Sequence, residues 1–238
     1  MHNQLLFIPQ KADSERAQVA QAWQQQGGTV QALGKFWRKP PTHGKQVSIY
    51  GPDTFALVLA QVLGVQLLSP KEEDLALIEE AFIKRTITLV AVEKVQQLTF
   101  PLFIKPTIPK LFPAQVFDSL EQLKPQLQHL APASWLLCST VITVEKEVRA
   151  FILEGQILDL AYYEGQGELE TAAAFIQYFL KNTSINLPTS FVLDVGWNAQ
   201  QGWLVVEMNA SWGAGLNGCN AAKVLEGIQR ATLLGDLP

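Results

Sequence analysis

Three oxygen-bearing side chains, Asp194, Glu207 and Asn209, interrupt two otherwise apolar runs at 191–197 and 202–209. Each run reads as a strand, with 198–201 as the loop of a hairpin. Side chains alternate along a strand, so Glu207 and Asn209 project from one face about 7 Å apart. Pairing of Trp197 with Gly202 would set Asp194 opposite Val205, on that face and diagonal to Glu207. Two carboxylates and an amide oxygen on one patch are hard-oxygen ligands of the kind Mg²⁺ accepts, with substrate phosphates and water completing the shell. The Ser211-Trp212-Gly213-Ala214-Gly215 stretch that follows suits backbone lying close to a ligand. The competing reading is the solvent side of an edge hairpin.

Two cationic groups precede this hairpin. Lys105 closes the apolar run Phe103-Ile104-Lys105-Pro106, and Lys110 follows five residues later. A lysine at a strand end is costly to bury unless an anion meets it, and phosphate suits an ammonium point charge. Otherwise Lys105 snorkels to the surface. In Glu145-Lys146-Glu147-Val148-Arg149, a strand would put Glu145, Glu147 and Arg149 on one face. Arg149 would sit near both carboxylates with its fork free for a phosphate or carboxylate. The other reading is a ladder of salt bridges on an exposed sheet.

The elements that must position these groups fall into two sets. In residues 1–85, strands at 5–8, 29–33, 46–50 and 65–68 alternate with helices at 14–26, 54–63 and 70–84. Asp53 is placed to cap the second helix and Gly64 to end it. Ser69-Pro70-Lys71-Glu72 reads as the capping box of the third. This order implies a small, mostly parallel α/β unit. From 86 to 238 strands dominate, at 87–92, 102–105, 135–144, 147–153 and 156–163 before the hairpin, with helices at 118–123, 168–181 and 221–234. Glu154-Gly155 is a tight turn between two of them. That pattern is an α+β domain.

Composition bounds the function. The chain has 238 residues, 48% hydrophobic and 17% charged, which excludes a disordered or fibrous class. A net charge of −4 argues against nucleic acid as partner. Two cysteines, Cys138 and Cys219, fit a reducing compartment, and the N-terminus reads as a strand rather than a signal peptide. No apolar run reaches roughly 20 residues, so no membrane partner is expected. These features point to the cytoplasm. His2, His43 and His129 have no metal-ligand spacing.

Taken in order, Phe103-Ile104-Lys105-Pro106 with Lys110, Glu147-Val148-Arg149-Ala150-Phe151, Leu193-Asp194-Val195-Gly196 and Glu207-Met208-Asn209 resemble an ATP-grasp domain spanning most of 84–230. Arg85 and the tail 211–219 are similar to a compact ATP-grasp subclade proposed to ligate amino acids or peptides. The resemblance implies a two-lobed domain that binds ATP and Mg²⁺. Lys105 and Lys110 would meet the phosphates, and backbone at Val141, Ile142 and Thr143 would meet adenine at the hinge. Glu147 would meet the ribose or the metal shell. Asp194, Glu207 and Asn209 would hold one or two Mg²⁺ ions, and Arg149, with Lys110, would serve catalysis. A glycine-rich phosphate loop is common in the family, whereas 109–114 contains no glycine.

The implied activity is an ADP-forming carboxylate–amine ligase acting through an acylphosphate on small-molecule or peptide substrates, with homodimer formation left open. Two alternatives stand beside it. One is a non-catalytic ATP-binding regulatory or assembly module. The other is a kinase-like phosphotransferase, which lacks support from any His-Arg-Asp or Asp-Phe-Gly motif.

Overall fold

The structure is a computed structural model and describes residues 3–34, 38–108 and 111–234. Strand β1 (Gln4–Pro9) leads into helix α1 (Ser14–Gln25), where the Asp13 carboxylate accepts from the Arg16 amide at 2.9 Å. Strands β2 (Thr29–Leu33) and β3 (Gln46–Ile49) flank β1 in parallel, in the order β2-β1-β3. The apolar side chains of β1 serve two faces. Leu5 and Phe7 pack with helix α2 (Asp53–Leu63) and Trp212, while Leu6 packs with Trp23, Leu225 and Ile228.

Three expectations for this unit need correction. Asp53 is the first residue of α2 and not its cap; Pro52 takes that position with no side-chain bond, and Asp53 instead meets the positive end of the helix dipole. Strand β4 (Val65–Leu67) leaves the parallel sheet and pairs antiparallel with the last strand, Thr232–Leu234. The helix expected over 70–84 is a 3₁₀ turn, Glu72–Leu77, and a short helix α3 (Glu80–Ile83). Ile78 turns extended between them and enters the core with Leu75, Phe82 and Ile83.

Two antiparallel sheets follow. Strands β5 (Ile87–Ala91), β6 (Leu102–Pro106), β7 (Gln115–Phe117) and β8 (Trp135–Thr140) lie in the order β5-β8-β6-β7, packed on helix α4 (Leu120–Leu127). Strand β8 stops at Thr140, four residues before the expected end, and 141–145 carries the chain to the second sheet. There β9 (Lys146–Leu153), β10 (Gln156–Glu164), β11 (Ser190–Asn198) and β12 (Gly202–Asn209) lie in the order β10-β9-β11-β12. Glu154 and Gly155 turn the β9–β10 hairpin with φ of 50° and 73°, the pair of positive values a two-residue loop demands.

Alternation decides what each face of the second sheet meets. Val148, Ala150 and Ile152 pack on helix α5 (Glu170–Asn182) through Ala172, Ile176 and Phe179. Phe151 and Val192 pack on helix α6 (Ala221–Arg230) and the N-terminal unit. The expected helix 221–234 therefore ends at Arg230, and Thr232–Leu234 forms β13 against β4.

The β11–β12 hairpin departs from its expected register. Trp197 pairs with Trp203, and Val195 with Val205, but Asp194 pairs with Glu207. Val206 is the extra residue of a bulge, and bulges re-aim side chains beside functional sites. Asp194 is thus opposite Glu207 rather than opposite Val205. Gly196 lies under this bulge: a Cβ there would fall 2.8 Å from Val144 and 2.9 Å from Val206. Gly196→Ala is expected to lower stability by about 1–3 kcal/mol through overpacking of two β-branched side chains. Urea denaturation of the variant beside wild type measures it.

Candidate active site between the two sheets

Arg149, Asp194 and Glu207 form one row across three neighbouring strands, since Arg149 pairs with Asp194 on β11 and Asp194 with Glu207 on β12. Arg149 donates from Nε to Asp194 Oδ1 at 2.8 Å and from Nη2 to Oδ2 at 2.7 Å, the two-pronged geometry of a strong ion pair. Its Nη1 donates to the Gly215 carbonyl at 3.0 Å, and its guanidinium lies 5.6 Å from the Tyr163 ring centre. Asn209 donates from Nδ2 to Asp194 Oδ2 at 3.1 Å. Asp194 is 3% exposed. The partner of Arg149 is therefore Asp194, not Glu145 and Glu147. Glu145 lies just before β9 and accepts from the Ala199 amide at 3.1 Å.

Lys105 neither snorkels nor stands alone. It is 8% exposed, forms an ion pair with Glu72 and lies 3.7 Å from Glu207. Two cavities share Lys105 and Glu207. One, of about 150 Å³, lies between the sheets and is walled by Phe103, Leu137, Ser139, Val206 and the linker residues Val141, Ile142 and Val144. The other, of about 500 Å³, opens past Glu72, Phe112 and Ala114. Together they form an apolar slot with a charged mouth.

Arg85 closes the deep end of the slot. It donates to the Ser139 hydroxyl of the first sheet at 3.2 Å and to the Val205 and Val206 carbonyls of the second at 2.5 and 2.8 Å. The bulge supplies those two carbonyls. Burial pushes the Arg85 pKa down to about 10, still high enough to keep the guanidinium charged at neutral pH.

The mouth carries excess negative charge. Burial, then Asp194, Glu164 and Glu207, push the Glu147 pKa above the ordinary carboxylate value, and Arg149 only partly opposes them. Burial also opposes the Arg149 charge, but the Asp194 bonds and the charges of Asp194 and Glu207 outweigh it and hold the pKa up. Among the described residues, no three His, Cys, Asp or Glu side chains cluster to hold a metal ion. Asp194 spends both oxygens on Arg149. Glu207 lines both cavities, and the Asn209 Nδ2 is committed to Asp194, which leaves its amide oxygen as the remaining acceptor.

A family model described as an ATP-grasp domain, the second family of its clade, matches residues 82–227. The chain belongs to the ATP-grasp family. Solved ATP-grasp structures share the fold across nearly the whole chain. A RimK domain ATP-grasp protein from Sphaerobacter thermophilus is 12% identical with a TM-score of 0.64, covering 94% of this chain and 99% of its own. The D-cycloserine synthetase DcsG is 14% identical with a TM-score of 0.61, covering 95% and 98%. D-alanine–D-alanine ligase from Bacillus anthracis, solved with ATP, is 13% identical with a TM-score of 0.52, covering 96% of each chain. No curated protein matches in sequence.

Of the expected residues in this ATP-grasp fold, Lys105, Val141, Ile142 and Glu207 line the slot. Asp194 and Arg149 extend from Glu207 along the strand row, Glu147 lies within reach of their charges and Asn209 bonds Asp194. The Thr143 carbonyl instead accepts from Asn198 at 3.0 Å, and Thr143 does not line the slot. Lys110 lies outside the described residues. Glu72 escaped the sequence reading because it sits in an acidic run, Glu72-Glu73, that looks like a solvated first helical turn; nothing in its spacing ties it to Lys105. Gly215 and Tyr163 contribute a carbonyl and a ring face, which leave no composition signal.

The buried pair makes a direct stability claim. Asp194→Asn leaves the Arg149 charge uncompensated and is expected to cost about 3–5 kcal/mol. Removing both charges with Arg149→Met and Asp194→Leu together should cost much less, because the desolvation penalty disappears with the pair. Chemical denaturation of the two variants checks the order, and equal losses would remove the pair from the stability argument.

Proposed function

We propose that the chain is an ATP-dependent carboxylate–amine ligase acting through an acylphosphate, with an amino acid or short peptide as substrate. The observation that carries the reading is the juxtaposition of an apolar slot at the 141–144 linker with the Arg149–Asp194–Glu207 row at its mouth. Structural relatives include a ligase solved with ATP and a D-cycloserine synthetase, which supports the same class of chemistry.

Adenine would lie in the slot against Leu137 and Val141, hydrogen-bonded by linker backbone. The phosphates would reach Lys105. A carboxylate oxygen of the first substrate attacks the γ-phosphorus, the bond to the β–γ bridging oxygen breaks, and ADP leaves. An amine nitrogen then attacks the acyl carbon, phosphate departs with the shared oxygen, and the nitrogen loses a proton. Phosphoryl transfer needs positioned positive charge on the equatorial oxygens more than covalent help, and Arg149 supplies a fixed fork for them. Glu207 and Asn209 would hold Mg²⁺, with Asp194 behind them neutralising Arg149. When bound, the ion would supply charge neutralisation between phosphate oxygens.

The oxygen count gives the deciding measurement. With an ¹⁸O-labelled carboxylate substrate, one label per turnover should appear in inorganic phosphate. ADP without label transfer would move the chain to a phosphotransferase. Absence of ADP with a broad set of amino acid and peptide donors would favour a binding module.

Glu147 provides a second check. Its pKa is raised in the free protein, and a cation at the mouth would favour its charged form. Binding of Mg²⁺ and ATP should therefore release protons, and affinity should rise with pH through the raised value and level off above it. The stability of the free protein has the opposite slope: the folded state holds the proton more tightly than the unfolded, so stability falls over that window. Calorimetry in buffers of different ionisation enthalpy should show the proton release, and Glu147→Gln should abolish it.

A further inference from the structure

We propose that Glu15, on α1 of the N-terminal unit, is a positioning residue that orients Arg149 by holding the 214–217 backbone; its kinetic test rests on the ligase reading. One carboxylate accepts from two successive amides, Leu216 at 2.9 Å and Asn217 at 2.7 Å. Gly215 permits this approach, because a Cβ there would fall 2.5 Å from Glu15 Oε2. The carbonyl of that same glycine receives the Arg149 Nη1 bond. The path is therefore short: carboxylate, two amides, one carbonyl, guanidinium.

The N-terminal unit holds this segment at further points. Tyr50, 2% exposed, donates from its hydroxyl to the Ala214 carbonyl at 2.9 Å, and the Gly51 amide donates to the Trp212 carbonyl at 2.9 Å. Asn217 takes a left-handed φ of 45°, a conformation that asparagine tolerates better than most residues. The consequence lies in the guanidinium. Of its five N–H groups, two bond Asp194 and one bonds Gly215, so two remain, one on each Nη. Asp194 alone fixes the plane of the fork. The Gly215 carbonyl takes up one Nη1 hydrogen and so settles which two are left for substrate oxygens.

The test is Glu15→Gln, which replaces one acceptor oxygen by an amide NH₂ facing a backbone N–H. With an active donor pair, kcat should fall about tenfold or more while the ATP KM stays within about twofold, the signature of a contact expressed in the transition state. In an Arg149→Lys background the same change should cost less than about twofold, because both variants act through one group. Equal, multiplying losses in the two backgrounds would overturn the proposal, as would unchanged kcat. A purely structural clamp would lower the melting temperature and leave the kcat-to-KM split and this coupling unmoved. A catalysis-free readout accompanies it: the ¹⁵N–¹H resonance of Arg149 Nε in the nucleotide-free protein should shift or broaden in Glu15→Gln, and an unchanged resonance refutes the proposal. If wild type shows no turnover with any donor, the ligase reading falls and the resonance still decides the role of Glu15. Should Glu15→Gln not fold, Glu15→Asp, whose shorter arm reaches one amide, takes its place in each measurement.

Discussion

The ion pair between Arg149 and Asp194 is the constraint around which the mouth of the site is arranged. Removing two charges from water costs several kcal/mol per ion, and mutual attraction compensates only when the geometry is good and the remaining donors are satisfied. Both conditions are met by groups from separate parts of the chain. Strand register aligns the fork with the carboxylate, Asn209 adds a donor to Asp194, and the Gly215 carbonyl takes another Arg149 hydrogen. A well-packed apolar pair would stabilise the same sheet as well or better. The pair therefore makes sense as a device that keeps an arginine charged and aimed, not as a source of stability.

Charge balance at the mouth follows from that commitment. Asp194 is spent on Arg149 and Lys105 is shared with Glu72, so Glu147 and Glu207 face each other's fields with little cation of their own. The protein tolerates this partly by holding a proton more readily on Glu147. A divalent ion arriving with polyphosphate would relieve the repulsion from one side, and Lys105 and Arg149 would meet the phosphates from the other.

Much of this was legible from residue type and order. Alternation placed Arg149, Asp194 and Glu207 on strands, and the order of the motifs pointed to the ATP-grasp fold and to a linker near 141–143. What alternation does not contain is a bulge. The hairpin closes on Asn198 and Gly202 rather than Trp197 and Gly202, and the extra residue at Val206 adds a second one-residue shift, so the diagonal arrangement inferred from an unbroken hairpin became a direct one. Glu145 was misplaced for a related reason: the strand begins at Lys146, and one residue earlier the side chain answers to the β11–β12 turn through Ala199. The helices that failed, 70–84 and 221–234, did so where packing overrode local preference. Ile78 extends to reach the core, and Thr232–Leu234 pairs with β4. Glu72 and Glu15 act on partners far away in sequence, and no local pattern reveals such contacts.

The same bulge also supplies the contact that ties the two sheets together. Its two carbonyls, at Val205 and Val206, are the ones Arg85 grips while bonding Ser139 in the opposite sheet. One guanidinium thus staples the two sheets at the deep end of the slot, and leaving those carbonyls unpaired in a low-dielectric wall would cost about 1–3 kcal/mol each. At the mouth, Lys105, Glu207 and the 111–114 segment border the wider cavity. The carbonyls that this staple uses come from the bulge at Val206 in β12.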